Sequence, residues 1–340
     1  MPTKSLTKTT QSKTRTKKAA TLVQVPNLTA VNKEELRKQT VTKALTKRDA
    51  ANQFQVAMLY LDASLQQINY YKAAVWFMKA ARNGHHPAQY NLGLLYMSGK
   101  GVPKDYGKAF EYFSLAADNG FAEAQNNIGF LYERGLGVPC EHRKAFEWYE
   151  RAAKNGLAKA QYNVASMYKA GIGVDVDDHR AFNYFKKAAE QGHRNSKYNL
   201  ACAYANAHGT IADPKEAEKW FIQFGKESDA NFQIELGLRF YAGNGVNKDY
   251  DKAARWLLKA AKQGSPRALY NLGMLYFCGG ALQLNKKGAL RLLRMSAERG
   301  YPNAKSFMRR YESGQEQAIN AGLEDECNEV ESDLGGDSIE

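Results

Sequence analysis

Apolar and small residues recur along this chain with a period of 36, without a gap, from Asn52 to Asn303. Seven units begin at Asn52, Ala88, Ala124, Ala160, Ser196, Phe232 and Ala268. Counting each first residue as offset 0, offset 4 is always apolar, from Val56 and Leu92 to Leu236 and Leu272. Offset 8 is always aromatic: Tyr60, Tyr96, Tyr132, Tyr168, Tyr204, Phe240 and Tyr276. Offsets 0, 4 and 8 share one face of an α-helix, so this stretch predicts an amphipathic helix A. Offset 5 is Gly or Ala throughout, which leaves room for a neighbouring helix. Glycine at offset 11 (Gly99, Gly135, Gly171, Gly243, Gly279) fits a left-handed residue closing that helix.

A second amphipathic stretch follows. A second glycine (Gly101, Gly137, Gly173, Gly209, Gly245) and, in four units, a valine lead to offset 17. That position holds Asn69, Asp105, Glu141, Asp177, Asp213, Asp249 or Asn285 and predicts the N-cap of helix B, with Glu141 the weakest. Helix B runs to about offset 31. It carries alanine at offset 21 in every unit and a large side chain at offset 24: Trp76, Tyr112, Trp148, Tyr184, Trp220, Trp256 and Leu292. Small pairs such as Ala116–Ala117 and a closing glycine such as Gly120 complete the unit. Large positions alternating with small ones let helices interdigitate, so the offset 24 side chains, including all four tryptophans, read as packing positions.

A fixed period of this length means a solenoid of stacked helix pairs, which grows linearly and needs no second globular domain. The residues Ala88-Gln-Tyr-Asn-Leu-Gly-Leu-Leu-Tyr96, Gly99-Lys-Gly-Val102, Lys108-Ala109, Ala116-Ala117 and Gly120 resemble the Sel1-like repeat family, related to tetratricopeptide arrays. The resemblance covers 252 of the 340 residues. It implies an all-α fold, a right-handed α/α superhelical solenoid of seven repeats with helical caps, and the work of an adaptor or assembly scaffold.

The expected organisation is a disordered basic tail over 1–31, a capping helix over 32–51, the repeats over 52–303, a C-terminal cap over 304–320 and an acidic disordered tail over 321–340. The fifth unit departs most from the pattern: Ala207 stands where other units have glycine, and Phe224-Gly225 replaces the small pair. It reads either as drift absorbed by local packing or as a kink in the superhelix.

Charge is unevenly spread. The net charge is +13, yet residues 324–340 hold eight acidic residues and no basic one. Residues 1–51 carry 12 Lys and Arg against Glu34, Glu35 and Asp49. The basic tail suits nucleic acid or anionic membrane, although residues 1–53 contain no aromatic side chain to stack on bases. As an organelle transit segment it is short of arginine, and no apolar run nears the roughly 20 residues of a membrane span. The expected compartment is therefore the cytoplasm.

Candidate chemistry is sparse. Cys140, Cys202, Cys278 and Cys327 show no paired spacing and read as four reduced thiols. The six histidines form no metal motif, and His85 and His193 share offset 33, an inter-repeat turn. The Gly-Lys-Gly loop recurs in register, which marks it as structural and not as a phosphate loop. No catalytic residue, metal site or cofactor is expected.

The resemblance to tetratricopeptide arrays places ligands against helix A. Its groove candidates are Asn91, Asn127, Asn163, Asn199 and Asn271 at offset 3, and Tyr90, Tyr162, Tyr198 and Tyr270 at offset 2. An asparagine amide both donates and accepts, which suits an extended peptide backbone; the same Tyr-Asn pair also suits inter-helix packing. Offset 6 (Met58, Leu94, Phe130, Ser166, Cys202, Leu238, Met274) lacks the cations of a carboxylate clamp. The expected partner is a protein, bound through a peptide or helical segment, with nucleic acid or membrane the alternative.

Overall fold

The computed structural model describes residues 49–62, 68–278 and 286–313, together with the isolated positions 39 and 42. Apart from positions 39, 42 and 49–51, the capping helix expected over 32–51 lies outside these residues, as do both tails. Fifteen α-helices are described, in A–B pairs: α1 (Ala50–Leu61) and α2 (Tyr70–Arg82), α3 (His86–Ser98) and α4 (Tyr106–Ala117), α5 (Ala122–Arg134) and α6 (His142–Lys154), α7 (Ala158–Ala170) and α8 (Asp178–Glu190). There follow α9 (Arg194–Asn206) and α10 (Pro214–Gly225), α11 (Ala230–Ala242) and α12 (Tyr250–Lys262), α13 (Pro266–Cys278) and α14 (Lys286–Glu298), and the unpaired α15 (Pro302–Glu312). Each A helix packs on its own B helix, and each B helix packs on the next A helix, so the chain winds as a right-handed α/α superhelical solenoid.

The helix ends follow the local chemistry. Gly99, Gly135, Gly171 and Gly243 are left-handed at the ends of their A helices. In the fifth unit Ala207 takes that place at φ 58°, the one non-glycine residue with positive φ among the described residues. Carboxylate or amide oxygens of Asn69, Asp105, Asp177, Asp213 and Asp249 accept backbone N–H bonds at the starts of their B helices, while Glu141 caps nothing.

The centre of each helix pair is filled from offset 25, one residue after the tryptophan position. Phe77, Phe113, Tyr149, Phe185, Phe221, Leu257 and Leu293 are each at most 4% exposed. They enter the space left by the small offset 5 residue: a Cβ on Gly93 would lie 2.6 Å from the Phe113 ring. Burying such a side chain contributes about 1.5–3 kcal/mol. The tryptophans sit at the rim instead. Trp76 and Trp220 are just buried and Trp148 and Trp256 half-buried, with Lys79, Arg151 and Lys259 lying 4.2, 4.5 and 4.9 Å over three of the rings. The tyrosine at offset 8 joins neighbouring units: Tyr168 stacks near Tyr184 of its own unit and meets Phe146 of the preceding one edge-on.

A row of buried glutamines at offset 1, silent in an apolar pattern, ties the units by hydrogen bonds. Gln89, Gln125 and Gln161 donate to the carbonyls of Ala81, Ala117 and Ala153 at the end of the preceding B helix. Gln53, Gln125, Gln161 and Gln233 accept from Asn83, Asn155, Gln191 and Gln263 of their own B helices. The row lapses in the fifth and seventh units, where Lys197 and Leu269 replace glutamine.

The junction between α10 and α11 is the irregular one. Elsewhere an Ala-Ala pair on helix B (Ser296-Ala297 in the seventh unit) faces a small residue at the start of the next A helix, and the two backbones approach closely. Here Phe224 faces Phe232, ring centroids 4.5 Å apart, with Tyr198 beside both. The rings hold the helices apart, and most of the close backbone approach found at every other junction is lost. Bonds outside the junction hold it together: Lys252 to Glu218 at 2.7 Å and Arg194 to Ser228 at 3.2 Å. The fifth unit thus loosens the stacking between α10 and α11.

Candidate functional site

The A helices set their offset 2, 3, 6 and 9 side chains side by side along one face of the solenoid. From α1 to α9 that face is open: Met58 and Lys169 are exposed, and Leu94, Met97, Phe130, Glu133, Ser166 and Cys202 are half-buried. Toward the C-terminus it closes. Leu238, Met274 and Phe277 are buried, α11 touches α13 directly, and α15 lays Phe307 and Tyr311 against Phe277.

The candidate asparagines divide three ways. Asn91 and Asn199 turn back along their own helices and donate to Pro87 and Asn195 carbonyls. Asn163 donates to Asn126 at 3.0 Å, linking neighbouring A helices, and Asn127 lies near the Tyr90 phenol of the preceding A helix. Asn271 is buried, 7% exposed. Of these hydrogen bonds only that of Asn163 thus runs from helix to helix, and half-buried Asn91, Asn127, Asn163 and Asn199 keep part of their surface on the open face.

The candidate tyrosines are packing residues first. Tyr90 lies against Phe113 and Phe121, Tyr162 against Phe185 and His193, and Tyr198 against Phe221, Phe224 and Phe232. Tyr270 is buried beside Tyr301. Burial raises the phenol pKa values of Tyr90 and Tyr198, so both stay neutral.

His85 and His193, placed in turns by the sequence, are helix caps: their Nδ1 atoms accept from Ala88 N at 3.2 Å and Ser196 N at 3.3 Å. Burial lowers both imidazole pKa values, which favours the neutral acceptor. The loop glycines make room for backbone. A Cβ on Gly101 would run into the Tyr70 carbonyl, and one on Gly173 into that of His142. The Gly-x-Gly loop therefore lies on the start of the preceding B helix, filled by protein where a phosphate would have to sit.

The cysteines divide as well. Cys140 and Cys202 are free, and burial raises the Cys202 pKa, leaving a thiol and not a nucleophilic thiolate. Cys278 is disulfide-bonded, which corrects the expectation of four reduced thiols. Among the described residues no group of three His, Cys, Asp or Glu side chains is placed to hold a metal ion, and no helix is long and apolar enough to cross a membrane.

A family model described as Sel1 repeat matches seven times, at 53–85, 86–121, 122–157, 158–193, 195–229, 230–265 and 266–301. The chain is similar to the protective antigen c5321 of uropathogenic Escherichia coli, a protein with the SLR fold. The identity is 28% and the TM-score 0.68, over 91% of this chain and 67% of that one. It is also similar to a Sel1 repeat protein from Oxalobacter formigenes at 30% identity and TM-score 0.56, over 68% of this chain and 96% of that one. No curated protein matches it in sequence.

Proposed function

The chain belongs to the Sel1 repeat family, and from that premise we propose that it is a non-enzymatic scaffold holding a segment of a partner protein along its A-helix face. The observation that carries the reading is the continuous half-buried strip from α1 to α9. It offers thioether, aliphatic, aromatic and amide groups without a dominant charge. A strip of that composition fits a peptide or an amphipathic helix with apolar anchors. The amides of Asn91, Asn127, Asn163 and Asn199 border it, while Tyr270 and Asn271 lie beneath its closed end.

The test is affinity capture with a Met58→Glu, Met97→Glu, Lys169→Glu triple variant beside the wild type. These side chains lie on the strip and carry no inter-repeat hydrogen bond. Loss of specific partners at an unchanged melting temperature is expected. An identical partner set from a folded variant removes the A-face assignment. The competing reading, contact with nucleic acid or anionic membrane through residues 1–31, rests on the charge of that segment. It requires salt-dependent binding that is lost when its lysines are neutralised.

A further inference from the structure

The repeat body carries its positive charge mainly at one end. Residues 250–313 hold 13 Lys and Arg against Asp251, Glu298 and Glu312. On α12 and α14 these cations point outward, away from the packed faces: Arg255, Lys262, Lys287, Arg291 and Arg294 are all exposed. The same outer stripe on α4 and α6 mixes signs, with Glu111, Asp118 and Glu147 among Arg143 and Lys154. Arg294 meets Glu312 at 3.7 Å. Arg255, Lys262, Lys287 and Arg291 have no ion-pair partner among the described residues.

A surface with several unpaired cations repels itself and attracts a polyanion. The chain supplies one immediately downstream. Residues 324–340 carry eight carboxylates and no cation. The intervening stretch, 314–323, spans at most about 33 Å when extended. A helix of α14's length is about 20 Å long, and neighbouring helices lie about 8–10 Å apart. The acidic run can therefore reach every cation on α14 and those of α12. Attachment through so short a link gives it an effective concentration on the order of millimolar, ahead of most free competitors.

We propose that the outward basic face of α12 and α14 is an interaction surface whose occupant is the chain's own acidic run, residues 324–340. The contact is electrostatic and needs no fixed side-chain geometry, as the mixed spacing of the carboxylates requires. It lies on the B-helix side of the solenoid, so it stands or falls independently of the A-face reading.

The experiment uses full-length protein in three forms: wild type, a tail-neutral form with the eight Asp and Glu of 324–340 changed to Asn and Gln, and the tail-neutral form carrying Arg255→Glu, Lys287→Glu and Arg291→Glu. The probe is a fluorescent 324–340 peptide with serine at the cysteine position, read by anisotropy in dithiothreitol so that charge alone is measured. The tail-neutral form is expected to bind the peptide, with affinity falling as salt rises from about 50 to about 300 mM. Wild type should bind about tenfold more weakly or worse, because its own tail occupies the face. The charge-reversed form should not bind, at an unchanged far-ultraviolet circular dichroism spectrum. Equal binding to wild type and tail-neutral protein, or none to either, overturns the proposal. So does a concentration-dependent dimer that tail neutralisation abolishes, since the tail would then serve a second copy. Duplex DNA binding equally tightly to wild type and tail-neutral protein also overturns it.

Discussion

Substituting alanine for Gly173, with Gly156→Ala as its partner variant, separates two costs that the sequence merges. Both glycines have positive φ, +70° at Gly173 and +91° at Gly156. A left-handed backbone costs an L-residue about 1–2 kcal/mol, and alanine recovers about 0.4–1 kcal/mol by restricting the unfolded chain. That leaves about 1 kcal/mol for each variant. At Gly156 nothing lies within 4 Å of the added Cβ, so the cost stops there. At Gly173 the Cβ would lie 2.9 Å from Arg143 N and closer still to the His142 carbonyl, both backbone at the start of α6. Backbone cannot rotate aside, so the loop and helix must separate, and overpacking of this kind adds about 1–3 kcal/mol.

Gly173→Ala should therefore lose about 2–4 kcal/mol and Gly156→Ala about 1. At about 2–4 °C per kcal/mol for a chain of this size, the melting temperature should fall by about 4–16 °C in the first and about 2–4 °C in the second. Thermal melts by circular dichroism on the two variants and the wild type decide it. Equal shifts would refute the close approach. A phosphate-cradle role for the loop predicts instead a near-native melt with lost binding of inorganic phosphate.

Ala207→Gly should raise the melting temperature, because it relieves the one strained non-glycine among the described residues; the gain is up to about 1 kcal/mol, and a loss would show that Ala207 is not left-handed in solution. Gln161→Leu should cost about 1–3 kcal/mol, since it strips the buried Ala153 carbonyl and the Gln191 amide of a partner, whereas the exposed Gln191→Leu should cost less. His85 and His193 have folded pKa values below the ordinary 6.5, so the unfolded chain binds their protons first. Their contribution is present above pH 6.5 and lost as pH falls through the folded values. A His85→Asn, His193→Asn variant, capped without a titrating group, should show a smaller drop in melting temperature than wild type between about pH 7.5 and about pH 5.5.

The period of 36 made the helix pairs, their ends and their caps legible, because glycine at offset 11 and Asp or Asn at offset 17 each do one local job. The centre of each pair was harder to place. Tryptophan at offset 24 drew attention by rarity, whereas the buried position is offset 25, whose Phe, Tyr and Leu are ordinary residues. The glutamine row was invisible to an apolar pattern: a buried amide reads as a surface residue until its partners, 8 and 30 residues away, are known. At the candidate site, the likeness to tetratricopeptide arrays pointed to the A helices. It could not show that Asn91 and Asn199 bond their own helices while Asn163 spans two. That choice depends on the neighbour: Asn126 stands at offset 2 of the third unit, where four other units have tyrosine, and it gives the Asn163 amide an amide to meet.

Phe224 and Phe232 connect the irregular fifth unit to the shape of the A-helix face. Their rings wedge α10 and α11 apart on the B-to-A side of the junction. Downstream of that wedge, α11 leans onto α13, and Leu238, Met274 and Phe277 leave the surface. A segment laid along the A helices, as proposed above, thus meets open side chains over the first five units and a closed wall after them. Phe224→Ala restores the small residue of the other units and should let α10 and α11 close. If the wedge sets the register, that variant changes which partner segment is protected from proteolysis, while leaving the first four units melting as before.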